Sequence, residues 1–213
     1  MLVLASASPR RRDLLSQAGY EFQTIPAEIC EDLHPGEQPI AYVLRLAREK
    51  AEAVAASPEF ASLRNTSPDP PLILGADTTV VAPNGEILLK PEGDADAARM
   101  LRLLSGATHQ VLTGVALVAQ GGVETAAEVT HVTMLTLSEE EIAAFIATGE
   151  PADKAGAYAI QGRAARWIPR VHGCYFNVVG LPLALVSSMI EGTLRRFEKT
   201  TSPIPETAAA SSI

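Results

Sequence analysis

Two apolar periods interleave along this chain, and that interleaving limits its fold more than any other feature. Leu2–Ala5 and Leu72–Gly75 are short unbroken apolar runs, the pattern of strands covered on both faces. Between them Ile40, Val43, Leu44, Ala47, Ala51 and Val54 recur at helical spacing, which predicts an amphipathic helix. Strands of one kind alternating with helices of the other exclude an all-α or all-β domain. They point to an α/β or α+β fold in two lobes around a cleft.

Local signals fill in the rest. Ser8 offers an N-cap before Pro9 at the first helical position, and Gly19 offers a C′ stop. Phe22–Ile25 reads as a second strand. Pro83-Asn84-Gly85 between Thr79–Ala82 and Glu86–Leu89 predicts a hairpin. A helix is expected over Asp94–Leu104, then long strands over Gln110–Val118 and Val123–Leu137. Ser138 with Glu141 forms a capping box for a helix ending at Gly149. Short strands are expected at Tyr158–Ile160, Ala164–Ile168 and Tyr175–Asn177, and a last helix over Pro182–Phe197. Ser57–Pro71, with four prolines, reads as an exposed loop, and Thr200–Ile213 as a disordered tail.

Composition removes several function classes. The net charge of −8, from 25 acids against 17 bases, argues against a nucleic-acid duplex or an anionic membrane as main partner. A phosphorylated small molecule is still allowed if a few bases gather at one place. The two cysteines, Cys30 and Cys174, form no C-x-x-C pair, so neither a zinc site nor a disulfide framework is indicated and a reducing compartment is expected. The apolar start precedes its arginines, the reverse of a signal peptide, and no apolar run is long enough to span a bilayer. There is no Walker A loop, no G-x-G-x-x-G and no G-x-S-x-G elbow.

Four segments could carry chemistry. In Ser6–Arg12 a strand runs into a helix N-terminus, where free N–H groups and the positive dipole end suit an anion. Three arginines in that first turn are unfavourable without one, although a solvated basic turn is the plain alternative. In Gly75-Ala76-Asp77-Thr78-Thr79, a carboxylate ends a buried strand and could hold a metal or take a proton from water, although this segment by itself favours a plain capping or turn aspartate. Lys50 lies at the flank of the helical stripe, placed either to project over a cleft or to snorkel. Lys90 follows the hairpin. In Asp153–Gly162 small residues allow close backbone approach, and Gln161 offers both donor and acceptor.

Taken in order, LASASPRRRDLL, YVLRLAREKA, LGADTTV, LKPEGDADAARMLRLLSGATHQVLTGVAL and GEPADKAGAYAIQGRAA followed by NVVGLPL resemble the Maf-like nucleotide pyrophosphatases, once called septum formation inhibitors. The resemblance implies an elongated mixed β-sheet flanked by helices, two lobes around a central cleft, similar to inosine-triphosphate pyrophosphatases, with residues 1–199 as one catalytic domain. It implies hydrolysis of a nucleoside triphosphate to the monophosphate and pyrophosphate with Mg2+ or Mn2+, in the branch acting on dTTP and UTP. It also implies a cytoplasmic protein and a homodimer. Carried over by motif position, Arg10 and Arg11 bind phosphates with help from Ser8, and Lys50 and Lys90 hold the triphosphate. Glu31 and Asp77 meet the metal, with Asp77 also catalytic, and Gln161 reads the base or supports the site. For the first acid, Glu28 and Asp32 remain alternatives to Glu31. Ala159 stands where the family usually has glycine, so strain is expected there if the backbone needs a positive φ. Two other functions stay open: a nucleotide-binding regulator of cell division with little catalysis, and a pyrophosphatase for non-standard purine nucleotides.

Overall fold

The computed structural model describes residues 1–66, 71–120 and 122–201. Its strands are β1 (Leu2–Ala5), β2 (Phe22–Thr24), β3 (Leu72–Val81), β4 (Ile87–Leu88), β5 (Thr108–Ala119), β6 (Gly122–Thr133) and β7 (Arg170–His172). Its α-helices are α1 (Pro9–Gln17), α2 (Pro39–Ala55), α3 (Pro58–Thr66), α4 (Asp94–Leu104), α5 (Glu139–Ile146), α6 (Tyr175–Val179) and α7 (Leu183–Thr201). All seven strands form one mixed sheet in the order β2-β1-β3-β5-β6-β7, with β4 on the edge of β3. This is the mixed α/β architecture expected.

β3 positions the site. β1 pairs with it in parallel only as far as Ala5 opposite Gly75, and β4 pairs antiparallel only from Val80. β5 covers the whole of the other edge, from Ile73 to Val81. Ala76–Thr79 therefore face a gap where β1 has ended and β4 has not begun. Open α/β sheets bind ligands at such interruptions, beyond the carboxyl ends of their strands.

α2 lies across β3 and β5 unusually closely. A Cβ built on Gly75 would stand 2.1 Å from the Ala47 carbonyl oxygen, and one on Gly114 would stand 2.2 Å from that of Val43. Only glycine admits backbone this near. Gly75 and Asp77 are two apart on one strand, and Gly114 is directly opposite Asp77, so all three share the face beneath α2. The buried stripe of α2 is Tyr42, Val43, Leu46, Ala47, Lys50, Ala51 and Val54. Ile40, expected on that stripe, is exposed and Leu44 only half-buried.

Two apolar cores flank the gap. One gathers Leu2, Leu4, Leu14, Leu74 and Val186, where β1, α1 and α7 meet the sheet. The other gathers Leu88, Met100, Leu101, Phe145 and Trp167 under α4 and α5. Ser138 and Glu141 form the expected reciprocal capping box of α5.

Some expectations need correction. Residues 58–66 of the anticipated loop form α3: Pro58 costs nothing at a helix start, Ser57 Oγ accepts the Phe60 N–H at 3.1 Å, and Phe60 is buried. Residues 67–70 lie outside those described. The three short strands over 158–177 are absent. Arg163–Trp167 is a 3₁₀ turn that buries Ala164 and Trp167 three residues apart, and the strand falls instead at Arg170–His172. Tyr175–Val179 is helical because buried Asn177 donates to the Val111 carbonyl and Thr130 Oγ1, both at 2.9 Å. α7 continues through Thr201, and the anticipated tail beyond it lies outside the described residues. No helix among the described residues is long and apolar enough to cross a membrane.

Candidate functional site

Around the gap in β3 is a cleft of about 840 Å³, within the roughly 300–1,000 Å³ usual for small-molecule sites. Ser8, Arg10, Arg11, Glu31, Lys50, Asp77, Lys90 and Gln161 all line it. Residues from six separate stretches of sequence thus meet in one place, where Arg10, Arg11, Lys50, Lys90 and Lys154 gather beside the carboxylates of Glu31, Asp32, Asp77 and Asp153.

Lys50 is the hinge of the charge arrangement. Its ammonium lies 2.6 Å from Asp77 Oδ1 and 2.5 Å from Glu31 Oε1. The close approach of α2 at Gly75 and Gly114 puts it there, so its stem does not merely snorkel to solvent. Lys90 Nζ stands 3.7 Å from the other Glu31 oxygen. Partial burial alone would push the Glu31 carboxyl up, but the hydrogen bond and charge of Lys50, backed by Lys90 and Arg11, hold it below the usual carboxylate range. Of the alternatives, Glu28 is exposed and does not line the cleft, whereas Asp32 lines it next to Glu31.

The arginines divide their work. Arg11 turns inward and is buried, donating through Nε to the Gly180 carbonyl at 2.8 Å, through Nη1 to Ser6 Oγ at 3.1 Å and through Nη2 to Thr78 Oγ1 at 3.0 Å. Burial lowers its pKa, with Asp77 opposing. Three of its five N–H groups brace the walls, leaving two to face an anion. Half-buried Arg10 lines the cleft, whereas Arg12 is exposed and does not. Ser8 stands at the N-cap of α1 but makes no cap hydrogen bond; its N–H donates instead to Ser6 Oγ. Ser6 and Thr78 lie within candidate segments but carry no local signal of their part in holding Arg11, and the Gly180 carbonyl lies outside every candidate segment.

Across the cleft, Asp153–Ala157 turns tightly. Gly156 has φ +67°, and its N–H donates to the Leu89 carbonyl beside Lys90 at 3.2 Å. Among the described residues the one positive-φ non-glycine is Ala157, at +61°; the strain expected at Ala159 sits two residues earlier. Lys154 and Asp153 also line this wall, paired at 2.6 Å. Behind it, buried His109 Nε2 lies 2.7 Å from the Tyr158 hydroxyl.

Burial depresses the His109 pKa to about 4. An unfolded histidine titrates near 6.5, so between pH 6.5 and 4 the unfolded chain takes up a proton that the folded chain refuses. Stability is therefore full above about pH 6.5 and falls as pH drops through that window, by at most about 3 kcal/mol. His109→Gln should flatten the acid limb of a plot of melting temperature against pH. An unchanged limb would assign the acid lability to other groups.

Comparison with known proteins agrees with this geometry. The family described as Maf-like protein matches residues 1–193, a span containing all eight of the predicted residues that line the cleft. The chain is 50% identical over 189 residues to the dTTP/UTP pyrophosphatase of Koribacter versatilis, covering 89% of this chain and 92% of that one. It is 50% identical over 187 residues to the dTTP/UTP pyrophosphatase of Geobacter sulfurreducens, covering 87% and 92%. The enzyme of the same name from Escherichia coli O157:H7 is 50% identical over 182 residues, covering 85% and 87%. Similarity of this depth, running from β1 into α7 and enclosing the whole cleft, makes the chain a member of the Maf-like protein family.

Proposed function

We propose that this chain hydrolyses dTTP and UTP to the monophosphate and pyrophosphate. The observation that carries this reading is Lys50 held between Asp77 and Glu31 on the floor of a cleft whose walls present Arg10, Arg11 and Lys90. A triphosphate needs several cations for its own charge and for the charge that grows on leaving pyrophosphate, and fixed cations in a walled site answer that need better than water does. The 50% identity to dTTP/UTP pyrophosphatases supplies the choice of base.

The residues suit a divalent cation. Glu31 and Asp77 are hard oxygen donors that both bond the Lys50 ammonium, and Mg2+ commonly binds one or two carboxylates while taking its other ligands from phosphate and water, so a cation would take the place of that ammonium between them. When bound, Mg2+ or Mn2+ would polarise the phosphates. Asp77 orients the attacking water and takes its proton, in line with the α-phosphorus. Lys50, released from the carboxylates, turns its ammonium to the triphosphate with Lys90 and Arg10, and Arg11 holds the β1–α1 turn rigid beneath them. Gln161, exposed on the far wall, meets the base. A cytoplasmic location suits such a substrate and belongs to the same proposal.

A panel of dTTP, UTP, ITP and 7-methyl-GTP with Mg2+ tests this directly. The highest kcat/KM is expected for dTTP and UTP. A purine preferred by a wide margin would overturn the pyrimidine assignment, and binding without pyrophosphate release would leave a nucleotide sensor in place of an enzyme.

A further inference from the structure

Glu31 reaches the cleft from residues 25–38, a stretch between β2 and α2 without helix or strand. Irregular segments of this length are uncommon in compact domains and are usually functional. Ordering one costs backbone entropy at every residue, so a carboxylate carried on it needs anchors close by. Two side chains of α2 supply them. The buried Tyr42 hydroxyl donates to the carbonyl of Glu31 itself at 2.9 Å, and Arg45 Nη2 donates to the next carbonyl, that of Asp32, at 3.0 Å. The Arg45 fork also grips Glu37 through Nε and Nη2, both at 2.7 Å, and Nη1 holds Glu49 at 3.2 Å. Glu37 Oε2 in turn accepts the His34 N–H at 3.1 Å, closing the far end of the stretch. The hydrogen bonds from Arg45 hold the Glu37 carboxyl well below the usual carboxylate range, so this grip is ionised at any working pH.

We propose that Arg45 is a positioning residue for the reaction. It does not line the cleft, and it acts by fixing the backbone on which Glu31 is presented to Lys50. Two consecutive carbonyls are held from one helix, the same helix that carries Lys50, so the backbone of Glu31 is referenced to the element that presents its partner. A lysine could not replace the arginine, because the planar fork engages both oxygens of Glu37 and a carbonyl at once. The inference rests on the function proposed above for Glu31.

A double-mutant cycle on dTTP turnover tests it with the full chain. Glu31→Gln should lower kcat by roughly 100-fold or more. Arg45→Met should lower kcat by about 10- to 100-fold, the scale of a misplacement near 1 Å. The double variant should be no slower than Glu31→Gln alone within about 3-fold, because Arg45 has nothing left to position. A general loss of folding would multiply the two effects and would not cancel. Circular dichroism at the assay temperature checks that each variant is folded. Should Arg45→Met not fold, Glu37→Gln weakens the same grip and carries the same cycle. Multiplicative losses, or full turnover in Arg45→Met beside an impaired Glu31→Gln, overturn the positioning role. Full turnover in Glu31→Gln removes the proposed role of Glu31 itself, and the inference with it.

Discussion

Asp77→Asn is expected to slow dTTP turnover by about 100- to 1,000-fold while leaving the melting temperature near that of the native chain. The two halves of this expectation have different causes. Asparagine keeps the shape and the Oδ1 acceptor 2.6 Å from Lys50, but it can neither accept a proton from water nor offer a charged oxygen to a cation. Removing one partner of a buried ion pair commonly costs about 3–5 kcal/mol, because the other charge is stranded. Here Lys50 is not stranded, since Glu31 remains 2.5 Å away. A stable but inactive variant is therefore expected, measured by steady-state turnover beside a thermal melt. Near-native turnover would falsify the role given to Asp77. Inactivity with a large drop in melting temperature would make Asp77 a structural partner of Lys50.

Gly114→Ala is expected to produce the reverse pattern, a loss of stability that brings activity down with it. The added Cβ would lie 2.2 Å from the Val43 carbonyl oxygen, 2.4 Å from its carbon and 2.8 Å from the Leu44 nitrogen. These are backbone atoms inside α2, so no flexible side chain can swing aside. Overpacking typically costs about 1–3 kcal/mol and occasionally more. With mid-helix backbone as the obstacle, the expectation is about 3 kcal/mol, or a melting temperature lower by roughly 6–12 °C in a chain of this size. Relief requires α2 to lift from the sheet, which carries Lys50 away from Asp77 on the strand opposite Gly114. kcat should therefore fall even below the melting transition. An unchanged melting temperature would mean that α2 does not seat on β5 as described.

The way these features were legible in the sequence follows their physics. α2 is legible because its buried residues repeat locally, except at Ile40, which the period places inward and the structure leaves exposed. Lys50 could be placed only at the edge of that stripe; its contact with Asp77 depends on how near the helix comes to two glycines in distant strands. Glu31 had no period or cap to mark it. It is fixed by Tyr42 and Arg45 through bonds to backbone carbonyls, which leave no pattern in their own neighbourhood. Over residues 158–177 short apolar runs have the local pattern of strands, but contacts such as Asn177 with Val111 and Trp167 against Phe145 select turns and a helix. Arg11 was found from its place at a helix start, but its bracing of Thr78 and Gly180 depends on the sheet edge and could not be read.

In the proposed reaction this cleft directs water at the α-phosphorus, so that pyrophosphate leaves intact. Turnover of dTTP in water enriched in heavy oxygen, with the products weighed by mass spectrometry, reports which phosphorus the water attacks. Attack at the α-phosphorus puts one heavy oxygen in the monophosphate and none in the pyrophosphate. Label found in the pyrophosphate, or orthophosphate in its place, would contradict it.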